Sequence, residues 1–157
     1  MKWHKLLNLR ATRTFAIKIG KQVLNAEQRR THATVVALEG ELGSGKTVFT
    51  SALASVFHVK RRMLSPTFLI ARSYSIPRFR KSVPYRRLFH IDLYRIKSKR
   101  ELGVIGFNEI LKNPDHLVVI EWADRVPGML PKDTLRIRFR HGKRVSERAV
   151  AVGKRRW

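Results

Sequence analysis

The sequence predicts an α/β fold, a sandwich in which a mixed, largely parallel central sheet is flanked by helices. Three observations predict it. Two short apolar runs, Thr34-Val35-Val36-Ala37-Leu38 and Leu117-Val118-Val119-Ile120, have the uninterrupted, β-branched form of strands buried on both faces. Segments with helical spacing lie before and between them, so strands alternate with helices along the chain. At 157 residues, 43% of them hydrophobic and 9% aromatic, a single domain over 1–157 has enough apolar side chains for a core.

Each element has its own signal. Phe15, Ile17, Ile19, Val23 and Leu24 give Thr12 to Leu24 a loosely amphipathic helical pattern. The run from Thr34 to Leu38 ends at Glu39-Gly40, as a buried strand ends at a turn. Lys46 to Phe57 reads as a helix with Phe49, Leu53, Val56 and Phe57 on one side. Phe68 to Ile76 and Leu88 to Leu93 are expected strands, separated by an exposed loop in which Pro77, Pro84 and a cluster of basic residues stand. Ser98-x-x-Glu101 is a capping box that opens a helix to about Leu111, and Asn113-Pro114 ends it. His116 to Trp122 is a further central strand, while Leu135 to Arg140 and Arg148 to Val152 alternate like half-exposed ones. The basic segment 1–11 and the tail 153–157 are the two candidates for disorder.

Composition removes whole classes of function. The chain has no cysteine, which excludes disulfide scaffolds, thiolate zinc sites and cysteine nucleophiles. No apolar run approaches the roughly 18 residues of a membrane span, and Met1 to Asn8 has neither an apolar signal core nor a cleavage site. A cytoplasmic location and no membrane partner are expected. Lys and Arg number 34 against 11 Asp and Glu, a formal net charge of +23. A field of that size attracts polyanions. The basic residues are spread from Lys2 to Arg156, so a dedicated binding face and a generally basic composition both fit.

One motif carries chemistry. Gly40-Glu41-Leu42-Gly43-Ser44-Gly45-Lys46-Thr47 satisfies G-x-x-x-x-G-K-[ST] between a buried strand and an amphipathic helix. Gly40, Gly43 and Gly45 permit backbone conformations that turn successive N–H groups toward a phosphate. The helix beginning near Lys46 aims its positive end at the same anion. Lys46 is placed to reach the β- and γ-phosphates, and the Thr47 hydroxyl to bind Mg²⁺. The spacing describes a nucleoside triphosphate site.

Such a loop needs acids to hold Mg²⁺ and to position the attacking water. Glu121 closes the apolar strand Leu117 to Ile120, and Asp92 closes Leu88 to Ile91. Strand ends beside a phosphate loop are where ligands sit in open α/β sheets. A surface ion pair to one of the many arginines is the alternative for either acid. Trp122 either stacks on a base or belongs to the core. His90 has no nearby serine or cysteine and no second histidine at ligand spacing, which points to packing or orienting, not catalysis.

The segments Gly40 to Thr47, Ser65-Pro66-Thr67-Phe68, His90-Ile91-Asp92-Leu93-Tyr94-Arg95 and Ile120-Glu121-Trp122 follow one another in the order and approximate spacing of the TsaE (YjeE) family. Glu101-Leu102, Gly106, Glu109 and Leu130-Pro131 are similar too, and the resemblance covers roughly Thr12 to Val152. It implies a P-loop ATPase that binds ATP and Mg²⁺, hydrolyses ATP slowly alone and docks on the TsaB–TsaD heterodimer, which modifies adenosine 37 of tRNA. It further implies that Lys46 and the amides of Gly43, Ser44, Gly45, Thr47 and Val48 hold phosphates, and that Thr47 and Glu121 ligate Mg²⁺. By the same resemblance Asp92 acts near the γ-phosphate, Trp122 lies against the nucleotide, and Ser65, Pro66 and Thr67 form a switch facing the partner. Thr12 resembles a threonine that approaches the base, with Thr14 as the alternative. The sequence departs from the family pattern at Val48, where a second threonine is common, at Arg72, where a glutamate is usual, at Gly142-Lys143-Arg144, and in the longer, basic Tyr74–Leu88 loop.

Two other classes of function share the phosphate loop. A P-loop small-molecule kinase would add a lid and an acceptor pocket, for which no segment stands out. A nucleic-acid-binding module switched by ATP would draw on the charge of +23, with Phe79 and Tyr85 interleaved among Arg78, Arg80, Arg86 and Arg87. Those aromatics equally suit an exposed loop with hydrophobic anchors.

Overall fold

A computed structural model describes residues 2–26, 30–59, 63–77 and 83–153. Among them a seven-stranded sheet has the order β1-β7-β6-β2-β5-β4-β3. Its strands are β1 (Trp3–Leu6), β2 (Thr34–Gly40), β3 (Ala71–Ser75), β4 (Arg87–Asp92), β5 (His116–Glu121), β6 (Leu135–His141) and β7 (Arg148–Val152). The pairs β6/β2, β2/β5 and β5/β4 are parallel, and the outer pairs β1/β7, β7/β6 and β4/β3 are antiparallel. The sheet is mixed as expected, but only its four middle strands are parallel, and the three outer pairs are antiparallel.

The two central strands are hydrophobic on both faces because both faces are covered. On one side α1 (Leu9–Asn25) and α2 (Lys46–Val56) pack over Val36, Leu38, Leu117, Val119, Ile137 and Phe139. Phe49 of α2 meets Phe139 edge to face, with ring centres 5.6 Å apart. On the other side α3 (Lys99–Val104), α4 (Phe107–Lys112) and a 3₁₀ turn (Ala123–Arg125) cover Val35, Ala37, Ile91, Val118 and Ile120.

Several boundaries differ from expectation. Asn8 caps α1, accepting from the Ala11 N–H at 2.9 Å, so the helix begins at Leu9 and not Thr12. Ahead of it β1 pairs with β7, which gives Trp3–Leu6 a place in the sheet that four residues could not announce alone. The strand expected from Phe68 begins at Ala71. Phe68 is 81% exposed, and a turn closed by the Leu69 N–H on the Pro66 carbonyl precedes the strand. The expected helix from Ser98 to Leu111 is two helices, since Gly106 adopts φ 64° and breaks the ladder between them. The capping box at Ser98 and Glu101 forms as expected. Of the basic loop, Tyr85 is an anchor. It is buried against Phe57, and its hydroxyl donates to Thr34 Oγ1 at 3.0 Å. Arg78, Phe79, Arg80, Lys81 and the tail residues Lys154, Arg155 and Arg156 lie outside the described residues, as does Arg29. Among the described residues no helix is long and apolar enough to cross a membrane.

Candidate functional site

The parallel register places the site. Asp92 and Glu121 are direct neighbours at the carboxyl ends of β4 and β5, and β2 runs alongside β5 into the glycine loop. Strand ends and loop thereby open on one side of the sheet, the edge where α/β folds bind ligands. A pocket of about 320 Å³ lies there, lined among others by Leu9, Gly43, Gly45, Lys46, Thr47, Val48, Ser65, Thr67, Asp92, Tyr94, Glu121 and Trp122. Two larger hollows, about 710 Å³ along the outer side of α1 and about 570 Å³ beside α4, contain none of the residues singled out for phosphate or metal.

The loop is shaped as an anion cradle. Gly43 and Gly45 have φ 72° and 100°, and Gly45 stands at the N-cap of α2 with no side chain capping the helix. The first-turn amides therefore face the pocket mouth with the positive end of the dipole behind them. Lys46 is buried, and its ammonium donates to the carbonyls of Gly40 and Glu41, both at 2.8 Å. It also lies 4.0 Å from the centre of the Trp122 ring. Burial lowers its pKa below 10.5, against the pull of Glu121, Asp92, Asp124 and Glu41 in the opposite direction.

The acids are held by different partners. Glu121 divides its oxygens: Thr47 Oγ1 donates to Oε2 at 3.1 Å, and His90 Nε2 lies 2.8 Å from Oε1. Because the carboxylate accepts, the imidazole proton sits on Nε2, and Nδ1 is buried without a partner among the described residues. His90 is fully buried, so it orients Glu121 from behind and does not reach the pocket. Asp92 accepts at Oδ2 from Ser65 at 3.1 Å and Thr67 at 2.5 Å, and at Oδ1 from the Tyr94 N–H at 3.0 Å. The Ser-Pro-Thr segment is thus tied to the β4 acid through its two hydroxyls, while Pro66 shapes the turn between them and the exposed Phe68.

Most of the sequence-selected residues converge here, with informative exceptions. Thr12 is fully buried, bonded through Oγ1 to the Asn8 carbonyl at 3.4 Å. Its methyl packs beneath Gly45, and it does not line the pocket. Ser44 is also buried, its hydroxyl without a partner among the described residues, and its side chain does not line the pocket. Gly40 does not line the pocket; its missing side chain serves the contact between β2 and β6. Trp122 is half-buried in the left-handed region, φ 58°, with Tyr94 beside it at 5.0 Å between ring centres. The sequence missed Leu9, an exposed apolar residue at the start of α1 that walls the pocket. It also missed the outer brace of the loop, where His141 bonds the Leu42 carbonyl at 2.9 Å and Arg148 that of Gly43 at 3.0 Å. No local pattern marks either.

The donor set fits a magnesium–triphosphate. One hydroxyl and one carboxylate, within reach of a phosphate cradle, are what Mg²⁺ takes from proteins that bind it through phosphate oxygens. The folded-back Lys46 ammonium lies at the same pocket.

Comparison with known proteins agrees with this frame. A crystal structure of Bacillus subtilis YdiB superposes with a TM-score of 0.67 at 23% identity, over 95% of this chain and 82% of that one, which shows a shared fold. A tRNA threonylcarbamoyladenosine biosynthesis protein TsaE from Rickettsia prowazekii is 31% identical over 138 residues, 87% of this chain and 85% of that protein. The protein of the same description from Borreliella burgdorferi is 31% identical over 131 residues, 83% of this chain and 80% of its own length. The family model of the threonylcarbamoyl adenosine biosynthesis protein TsaE matches residues 7–150, from the cap of α1 to the last strand, and the chain therefore belongs to the TsaE family.

Proposed function

We propose that this chain is the ATP-hydrolysing subunit of the cytoplasmic machinery that makes N6-threonylcarbamoyladenosine at position 37 of tRNA, acting with TsaB–TsaD. The observation that carries this is the convergence of Lys46, Thr47, Asp92 and Glu121 on one pocket at the uncapped start of α2. Membership of the TsaE family supports the pathway.

The residues divide the work. The amides of Gly43 to Val48 hold the phosphates, and the Lys46 ammonium leaves the carbonyls of Gly40 and Glu41 for the β- and γ-phosphate oxygens. Thr47 Oγ1 and Glu121 supply oxygen ligands for Mg²⁺, which when bound neutralises phosphate charge. Asp92 orients a water and takes its proton as the water oxygen bonds to the γ-phosphorus and the bond to the β,γ-bridging oxygen breaks. Ser65 and Thr67, which hold Asp92, link its position to a segment whose next residue, Phe68, is exposed to a partner. Trp122 and Leu9 flank the nucleotide.

Titration of the protein with ATP and Mg²⁺, followed by calorimetry and by the tryptophan fluorescence to which Trp122 contributes, tests the site. Wild type is expected to bind, and Lys46→Ala to lose about 100-fold in affinity by removing a buried charge-assisted contact. Reconstitution with TsaB, TsaD and TsaC should then support repeated rounds of tRNA modification with wild type and not with the variant. A wild-type chain that binds no ATP, or a variant that sustains turnover, overturns the reading.

His90 gives a second prediction. Removing a buried partner of a metal-holding carboxylate costs roughly 10–100-fold in metal affinity. The Mg²⁺ concentration that half-saturates ATP binding should rise by that factor in His90→Leu and recover in His90→Gln, whose amide keeps a donor. An unchanged requirement in His90→Leu would reduce His90 to packing.

A further inference from the structure

Among the described residues, one half of the sheet carries no helix on its second face. The apolar cluster under α3, α4 and the 3₁₀ turn draws on β2, β4 and β5 and takes no residue from β1, β6 or β7. Register decides what this bare surface presents. Lys5 stands opposite Ala149, and Ala149 opposite Arg140; the next row is Trp3, Ala151 and Arg138. Arg136 follows two residues along β6, on the same face because strand side chains alternate. The Cα atoms of the three arginines thus stand about 7 Å apart along one strand, beside Ala149 and the fully buried Ala151. The Arg140 guanidinium lies over Trp3, 3.8 Å from the ring centre.

The charge on this face is only partly neutralised. Glu39 is shared by Arg136 at 2.8 Å and Arg138 at 2.9 Å, and Lys5 pairs with Glu147 at 3.1 Å. No ion pair involves Arg140 among the described residues. Arg138 and Arg140 are exposed, in a chain whose net charge is +23.

We propose that the open face of β1, β7 and β6 binds the ribose–phosphate strand of RNA. Guanidiniums in a row match phosphate oxygens in bidentate pairs. The Arg140 guanidinium, backed by the Trp3 ring, offers a plane on which an unpaired base can stack, as sheet surfaces that read single-stranded RNA do. Trp3 is the one large apolar side chain on this face among the described residues, and it is half-buried beneath the Arg140 guanidinium, which leaves little apolar surface for lipid insertion. This face is separate from the Arg78–Arg87 segment, of which Arg78, Phe79, Arg80 and Lys81 lie outside the described residues. The proposal rests on the chain's place in tRNA modification, but not on ATP hydrolysis. Arg136, Arg138 and Arg140 do not line the nucleotide pocket, so ATP binding is a separate readout.

The test is anisotropy of a fluorescent, unmodified tRNA transcript titrated with the full chain across 50–300 mM KCl. Each phosphate contact contributes roughly 0.7–0.9 to the slope of log affinity against log salt. Replacing Arg136, Arg138 and Arg140 together by Gln should lower that slope by about 2 and leave ATP affinity unchanged. A control that removes the same charge elsewhere, Lys18, Lys21 and Lys112 together to Gln, should leave the slope within about 0.5 of wild type. Arg140→Gln alone, which disturbs no ion pair, should lower it by about 0.7 and keeps the proposal testable if the triple variant does not fold. An unchanged slope in the β6 variants, or an equal loss in the control, overturns it. Binding to vesicles of anionic phospholipid that competes with no tRNA overturns it too.

Discussion

Asp92→Asn is expected to lower the ATP hydrolysis rate of the wild-type chain by at least about 100-fold while leaving ATP affinity within a few-fold, because a positioned general base contributes roughly 10²–10⁴. The asparagine is nearly the same size, so β4 keeps its pairing with β5 and the pocket keeps its shape. Its carbonyl can still accept from the Tyr94 N–H, and the Ser65 and Thr67 hydroxyls can turn to accept from the new amide. What disappears is the ability to take a proton from water. The signature is a fall in kcat at constant Kd, unlike Lys46→Ala, which should fail at binding. Calorimetric titration with ATP beside a phosphate-release assay separates the two. Hydrolysis at the wild-type rate in Asp92→Asn would remove this residue from the chemistry.

Gly40→Ala is expected to destabilise the fold by about 4 kcal/mol, at the upper end of single substitutions. Gly40 has φ 135°, which side chains rarely adopt, and a Cβ there would stand 2.3 Å from the Phe139 carbonyl oxygen. That oxygen belongs to the backbone of β6, directly paired with Gly40, so it cannot swing aside without parting the strands. For a chain of this size the melting temperature should fall by about 10 °C. Gly103 is the internal control. It lies in α3 with nothing within 4 Å of the added atom, so Gly103→Ala should be neutral or stabilising by up to about 1 kcal/mol. Equal melting temperatures for the two variants would show that the β2–β6 junction yields more readily than its geometry implies.

Gly40 also shows where sequence reasoning is indirect. The motif identifies the glycine, and the phosphate is the natural reason for it, yet its neighbour is a strand 99 residues further along the chain. The reading of Gly43 and Gly45 was direct because their job is local: both take left-handed conformations inside the loop that lines the pocket. The single helix expected over Ser98 to Leu111 failed for a similarly local reason. Its spacing is helical throughout, and one glycine at φ 64° divides it.

What the sequence by itself determined is whatever is encoded within a few residues. Thr34 to Leu38 and Leu117 to Ile120 are apolar without alternation, which requires cover on both faces and fixes the fold class. The glycine spacing before Lys46 fixes an anion cradle, and Asp92 and Glu121 each end a buried strand. Tertiary structure alone decided the rest, because strand order and register are relations between distant segments that no periodicity records. Thr47 reaches Glu121 across 74 residues, and Thr67 reaches Asp92 across 25. Arg140 meets Trp3 only because β7 lies between β6 and β1. The alternation of Arg136, Arg138 and Arg140 was visible in the sequence as a half-exposed strand. Among the described residues no helix covers them, because α1 and α2 lie over the opposite face of β6 and α3, α4 and the 3₁₀ turn over β2, β4 and β5.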